Sequence, residues 1–195
     1  MVLFRYAPAL FLAVGFAVAA NAQAEKTFPT DDEINLMLTQ TERAIQQYEP
    51  LIDQEETAMG KGGTDAVAND RQVVNSLELA VRAFRSKPQG LNGPLGFAFF
   101  EWLDDASRNA ALCASYASSQ VALKVMDGDT SKAESLLQLA HSCNDASTLI
   151  YTVSENAGTL YQRYIEAEQQ LANQGADAAE KCVNILKNNC SAPKK

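Results

Sequence analysis

The stretch CASYASSQVALKVMDGDTSKAESLLQLAHSC, residues 113–143, decides the fold. Its middle, Asp127-Gly128-Asp129-Thr130, is tight-turn chemistry, and the arms on either side carry apolar residues at helical spacing. Cys113 and Cys143 each stand 15 residues from Gly128. In antiparallel helices rising about 1.5 Å per residue, both sulfurs reach the same height, about 22 Å from the turn. Each also lies on the inner stripe of its arm, Cys113 with Ala106, Ala110 and Ala117, and Cys143 with Leu136 and Ala140. Equal height and facing directions satisfy disulfide geometry, so the spacing predicts a Cys113–Cys143 bond across a helical hairpin. Closing a loop of about 30 residues contributes roughly 3 kcal/mol on the chain-entropy estimate.

Upstream, Ile34, Met37, Leu38, Ala44, Ile45, Tyr48, Leu51 and Ile52 recur at three and four, which predicts a first helix from Thr30 to about Met59. Thr30 with Glu33 forms a capping box, and Asp31 and Asp32 suit the positive end of the helix dipole. Pro50 falls inside the pattern and is expected to kink the helix or split it after Glu49. A second helix is predicted from Asp65 to Arg85, with Val67, Val73, Val74, Leu77, Ala80, Val81 and Phe84 inward. The run Ser86 to Pro94, with two Pro and two Gly, is loop chemistry. A third helix follows over residues 95–126. It is rich in Ala and Ser between Ser107 and Ala122, so a neighbouring helix can approach closely, which places it at the centre of the bundle.

Ser131 to Glu134 reads as a capping box opening a fourth helix over residues 132–172. Its expected inner stripe is Ala133, Leu136, Leu137, Ala140, Cys143, Ser147, Ile150, Tyr151, Ser154, Ala157, Tyr161, Tyr164, Ile165 and Leu171. Asn173-Gln174-Gly175 reads as a stop, with a short fifth helix from Asp177 to about Lys187. Cys182 and Cys190 would lie about 12 Å apart in a continuous helix, so their pairing requires the helix to end between them, at Asn188-Asn189. No stretch alternates with period two. The fold class is therefore all-α: an up-and-down four-helix bundle with a kinked first helix and a short fifth C-terminal helix, stapled by two disulfides.

The first 24 residues set the expected compartment. Arg5 precedes an apolar run from Ala7 to Ala20, and Ala20-Asn21-Ala22-Gln23-Ala24 carries two small-residue cleavage patterns. At roughly 14 residues the run is short of the ~20 a spanning helix needs, so residues 1–24 read as a cleaved signal peptide. The first cysteine is Cys113, so no lipid-anchored cysteine sits at the cut. Residues 25–195 are then a single helical-bundle domain in the periplasm or secreted, an oxidising destination that favours paired cysteines. The only glycosylation sequon is Asn189-Cys190-Ser191, whose middle residue is one of the expected paired cysteines, and this favours the periplasm. Removing Arg5 lowers the net charge from −8 to −9. Such a surface argues against nucleic acid and anionic membranes as partners.

Sequence motifs for catalysis are scarce. His141 is the one histidine, which rules out paired Glu-x-x-His di-iron sites, zinc-protease motifs and C-x-x-C-H haem attachment. Haem held by His141 with Met37 or Met126 is the remaining cofactor option, and no cofactor is expected. Asp127 to Ser131 resembles the start of an EF-hand, but Lys132 replaces the glycine and Gln138 the bidentate glutamate. Asp31-Asp32, Glu55-Glu56 and Asp104-Asp105 are chain neighbours pointing about 100° apart, so they read as solvated faces or dipole partners, not a facing carboxylate pair.

Phe97, Phe99, Phe100 and Trp102 fall within six residues and point in four directions, more than one stripe can bury. Either the Pro/Gly loop and the second half of the first helix wrap them, or some are exposed for a partner. With Glu101, Asp104 and Asp105 alongside, that partner would be a protein or a cationic peptide. Secreted inhibitors of the plant pectin methylesterase type resemble the chain in having four helices and four cysteines. Their local cysteine pair comes first, whereas here it comes last, and the resemblance stops there. The sequence favours a non-catalytic binding or interaction protein, such as a subunit, inhibitor, chaperone-like factor or sensor module. The alternative is an enzyme or haem or metal carrier built on His141.

Overall fold

The computed structural model describes residues 27–60, 64–87 and 93–189. They form four helices, α1 (Asp31–Met59), α2 (Thr64–Ser86), α3 (Pro94–Met126) and α4 (Thr130–Asn189), with no strand among the described residues. The expected signal peptide and Cys190 lie outside the described residues. None of the described helices is long and apolar enough to cross a membrane.

The capping box at the start of α1 is formed. Thr30 Oγ1 accepts from the Glu33 amide at 3.2 Å, and Glu33 Oε2 accepts from the Thr30 amide at 2.8 Å. α1 is not split at Pro50. The proline lies on the exposed face, where the Gln46 carbonyl it leaves without a helical donor can turn to water. Arg85 of α2 holds Glu42 of α1 at 2.6 Å, and Arg71 holds Asp53 and Glu56, so the two helices are clamped near both ends.

Among the described helices the α3–α4 contact is the most extensive. Gly128 turns the chain with φ +76°, a conformation glycine adopts without a side-chain penalty. Cys113 and Cys143 are bonded with Cα atoms 6.0 Å apart, as the spacing predicts, and both are fully buried. Ala106, Ala110 and Ala117 are buried beside them, their small side chains permitting this close approach. Further along the same interface, Ser147 Oγ donates to the Ser107 carbonyl at 2.9 Å and Ser107 Oγ to the Ser147 carbonyl at 3.2 Å. These bonds satisfy hydroxyls that the crowded interface removes from water.

Three expectations for α4 are corrected. It begins earlier than expected, at Thr130, because Asp129 Oδ1 accepts from the Lys132 amide at 3.1 Å and caps it in place of the Ser131–Glu134 box. It does not stop at Asn173-Gln174-Gly175 but runs on to Asn189, so the fifth helix is the far end of α4. One glycine costs about 1 kcal/mol in a helix, and the strong formers Ala172, Ala176, Ala178 and Ala179 around it offset that. Leu137, Tyr151 and Leu171 are about half exposed, and Leu139, Ala146, Val153 and Leu160 take inner places instead. Cys182 is exposed on this far end and bonded to no described residue, while its expected partner lies outside them.

Candidate functional site

The apolar stripes of α1 and α2 each carry an acid at a core position. On α1, Tyr48, Ile52 and Glu55 follow at intervals of four and three; on α2, Val67, Asp70 and Val74 follow at three and four. Helical geometry therefore turns both carboxyls inward, and Glu55 is 3% and Asp70 4% exposed. The Tyr48 hydroxyl, itself buried, donates to Asp70 Oδ2 at 3.0 Å. Asn109 of α3 faces the same carboxylate and favours its charged form, although its Nδ2 finds no partner in hydrogen-bonding geometry.

A cleft of about 550 Å³ opens onto this cluster between α1, α2 and α3. Glu55, Asp70 and Asn109 line its inner part, and exposed Leu112, Ser115 and Ser119 line its mouth. Among the described residues no donor reaches Glu55 Oε2, which is buried. Burial, and then the Asp70 charge, push the Glu55 carboxyl up to about 7. Burial also raises Asp70, against the opposing pull of the Tyr48 hydrogen bond and of the neighbouring Glu55 and Asn109 side chains, and burial together with Asp70 raises the Tyr48 phenol. The neighbouring base Arg71 does not neutralise the pair, since it is engaged with Asp53 at 2.8 Å and Glu56 at 2.7 Å on the outer side. Two adjacent buried carboxyls of this kind resist carrying charge at the same time. Among the described residues no group of three or more His, Cys, Asp or Glu is arranged to hold a metal ion.

The reading of Glu55-Glu56 as a solvated pair is thus half corrected. Glu56 binds Arg71 at the surface, and Glu55 pairs across helices with Asp70. The available signal was the position of each acid on an apolar stripe. Asp31, Asp32 and Asp104 are exposed, as expected.

The aromatic cluster divides. Phe99 is fully buried, Phe100 and Trp102 are partly buried against the core, and Phe97 is 55% exposed. The wrapping rings come from α2 and α4: Phe84 meets Phe99 edge-on at 5.5 Å, and Tyr161 lies 4.9 Å from Phe100. Only Phe97 of the four points mainly to solvent. His141 is exposed in a second, shallow groove of about 440 Å³ between α3 and α4, with Asp145, Ser115 and Ser118 also lining it. Met37 is buried in the core and Met126 is exposed at the end of α3. Comparison with protein-family models, with curated proteins and with solved structures gives no match.

Proposed function

We propose that the chain is exported behind a signal peptide spanning residues 1–24. Residues 25–195 then act in the periplasm or outside the cell as one up-and-down four-helix bundle that binds and does not catalyse. The ligand enters the α1–α2–α3 cleft and meets Glu55 and Asp70. One observation carries this reading: a buried, unpartnered carboxylate oxygen of Glu55 lines a cleft large enough for a small molecule. A buried acid without a countercharge lowers stability, and well-packed apolar residues at positions 55 and 70 would give a firmer core. A costly polar group at the inner end of a cleft is the usual mark of a site rather than of packing. The Cys113–Cys143 bond is compatible with an oxidising destination.

The test is purification of the native, unreduced protein from its own envelope or medium, with mass spectrometry of what accompanies it. A Leu112→Trp variant, filling the mouth without touching the carboxyls, should lose a bound small molecule. Should the wild type carry nothing that this variant lacks, the cleft is not the site.

A second reading rests on the His141 groove, where a base, an acid and two hydroxyls line one depression. It makes the chain a hydrolase. Acyl-ester substrates turned over by the wild type and not by His141→Ala would establish it.

A further inference from the structure

We infer that the cleft takes a small primary organic ammonium ion, with its charged head between the Glu55 and Asp70 carboxylates and its carbon chain along Leu112 and Tyr116 toward the mouth. This rests on the cleft being a binding site and goes on to name the ligand class. Three features of the site select that chemistry. The two carboxyls are inner lining groups, no base among the described residues engages them, and Arg71 is spent on Asp53 and Glu56. Glu55 Oε2 receives no hydrogen bond from any described residue, and an ammonium N–H supplies one. Met59, Ala66 and Leu112 give the outer part of the cleft an apolar wall suited to a short alkyl chain.

A hard divalent cation suits the site less well. It takes six or more oxygen ligands, and besides the two carboxylates the cleft offers the neutral amides of Asn69 and Asn109 and hydroxyls, with no third His, Cys, Asp or Glu among the described residues arranged to hold a metal ion. An ammonium needs only two or three acceptors, which Glu55 and Asp70 provide between them.

Binding is an exchange of cations. In the empty cleft the raised Glu55 carboxyl holds a proton up to about pH 7; when the ammonium enters, that proton leaves to solvent and the pair becomes two carboxylates facing one ammonium. No covalent bond changes. The titratable groups facing Glu55 are Asp70 of α2 and Tyr48 of its own helix; α3 contributes Tyr116 to the cleft and the neutral amide of Asn109. The Tyr48 phenol is raised and keeps its proton throughout. Alkylammonium ions titrate near pH 10, so the ligand stays charged and only the carboxyl pair sets the pH dependence.

Calorimetry with n-butylammonium chloride on the full mature chain tests this, at pH 6 and pH 8, with tetramethylammonium and n-butanol as controls. With the competing proton leaving around pH 7, the competent fraction rises about tenfold between those two pH values and the apparent affinity rises with it. Glu55→Gln, close to isosteric, should weaken binding at pH 8 and flatten the pH dependence, while exposed Glu49→Gln should change neither. Far-UV circular dichroism confirms that each variant is folded. The proposal is overturned by absence of binding at pH 8, by equal affinity at the two pH values, by a Glu55→Gln variant that binds like wild type, or by tetramethylammonium binding as tightly. If a co-purifying molecule lacks an amine yet is displaced by Leu112→Trp, the cleft stands as a site and the ammonium assignment fails alone. If neither amine nor co-purifying molecule responds to that variant, both readings fall.

Discussion

The Tyr48 hydroxyl donates a 3.0 Å hydrogen bond to Asp70 Oδ2 inside the core, tying α1 to α2 where both helices have left water behind. Hydrogen bonds to a charged acceptor contribute about 1.5–3 kcal/mol, and a buried carboxylate stripped of its donor loses that and gains nothing in return. Tyr48→Phe keeps the ring packing and removes only the hydroxyl. It should therefore lower stability by about 2 kcal/mol, read as a lower urea midpoint with unchanged slope. Tyr48→Phe combined with Asp70→Asn should recover part of the loss, since the buried acceptor is then neutral. An unchanged midpoint in the single variant would mean that the bond is not made in solution.

Stability should fall as pH rises from about 4.5 to about 7, opposite to the usual acid sensitivity. The sign follows from Glu55, whose carboxyl is raised from 4.5 to about 7 by burial and by Asp70. Over that window the folded protein keeps a proton that the unfolded chain has released, and the folded state binds more protons. Asp70 is raised as well and acts in the same direction. Glu55→Gln removes the titration. Each tenfold difference in proton affinity between the folded and unfolded chain is about 1.4 kcal/mol, so the variant should gain about 3.5 kcal/mol at pH 8 and almost nothing at pH 4.5. Denaturant unfolding at the two pH values measures both quantities.

The helical hairpin was readable because two independent constraints, equal distance from Gly128 and a shared inner stripe, pointed to the same pair of cysteines. The α1 cap was readable because Thr30 and Glu33 act within one turn. The run of α4 past Gly175 was hidden, since Asn-Gln-Gly is a frequent helix end and only the alanines around it favour continuation. The carboxyl pair was hidden for a different reason. Glu55 sits next to Glu56, which invites the reading of two solvated acids, and its true partner is on another helix 15 residues away. Asp70 interrupts the α2 stripe between Val67 and Val74, and a single acid on an apolar stripe is visible in sequence without revealing what it meets.

The start of α1 is held to α4 by Glu33 and Arg163, with Nη1 to Oε1 at 2.6 Å and Nη2 to Oε2 at 3.3 Å. Arg163 first, and the Thr30 amide second, hold the Glu33 carboxyl down at about 2. A lowered carboxyl contributes stability that is complete above its unfolded value near 4.5 and is lost as pH falls toward 2. Arg163→Met should flatten this acid limb while costing less than about 1 kcal/mol at pH 7, because the pair is about one-third exposed and screened by water. Amide exchange near Ile34 should quicken in the variant. Retention of the full acid limb would assign that loss to other carboxylates.

Reduction of Cys113–Cys143 should destabilise the chain without changing its fold. The bond closes a loop with a sequence separation of 30, and on the chain-entropy estimate such a loop contributes roughly 3 kcal/mol by limiting the unfolded ensemble. The native contact between α3 and α4 does not depend on the bond alone, because Ala106, Ala110 and Ala117 pack there and Ser107 and Ser147 exchange hydrogen bonds beside it. A Cys113→Ala, Cys143→Ala double variant should therefore keep its helical circular dichroism while its denaturant midpoint drops. Ala110→Leu acts the other way on the same interface. It leaves the bond's chemistry intact and forces α3 and α4 apart, at a cost of about 1–3 kcal/mol from overpacking. The two changes combined should cost less than their sum, since helices freed of the staple can spread to admit the larger side chain. A strictly additive cycle, measured by urea unfolding, would show that the disulfide does not hold the spacing of the two helices.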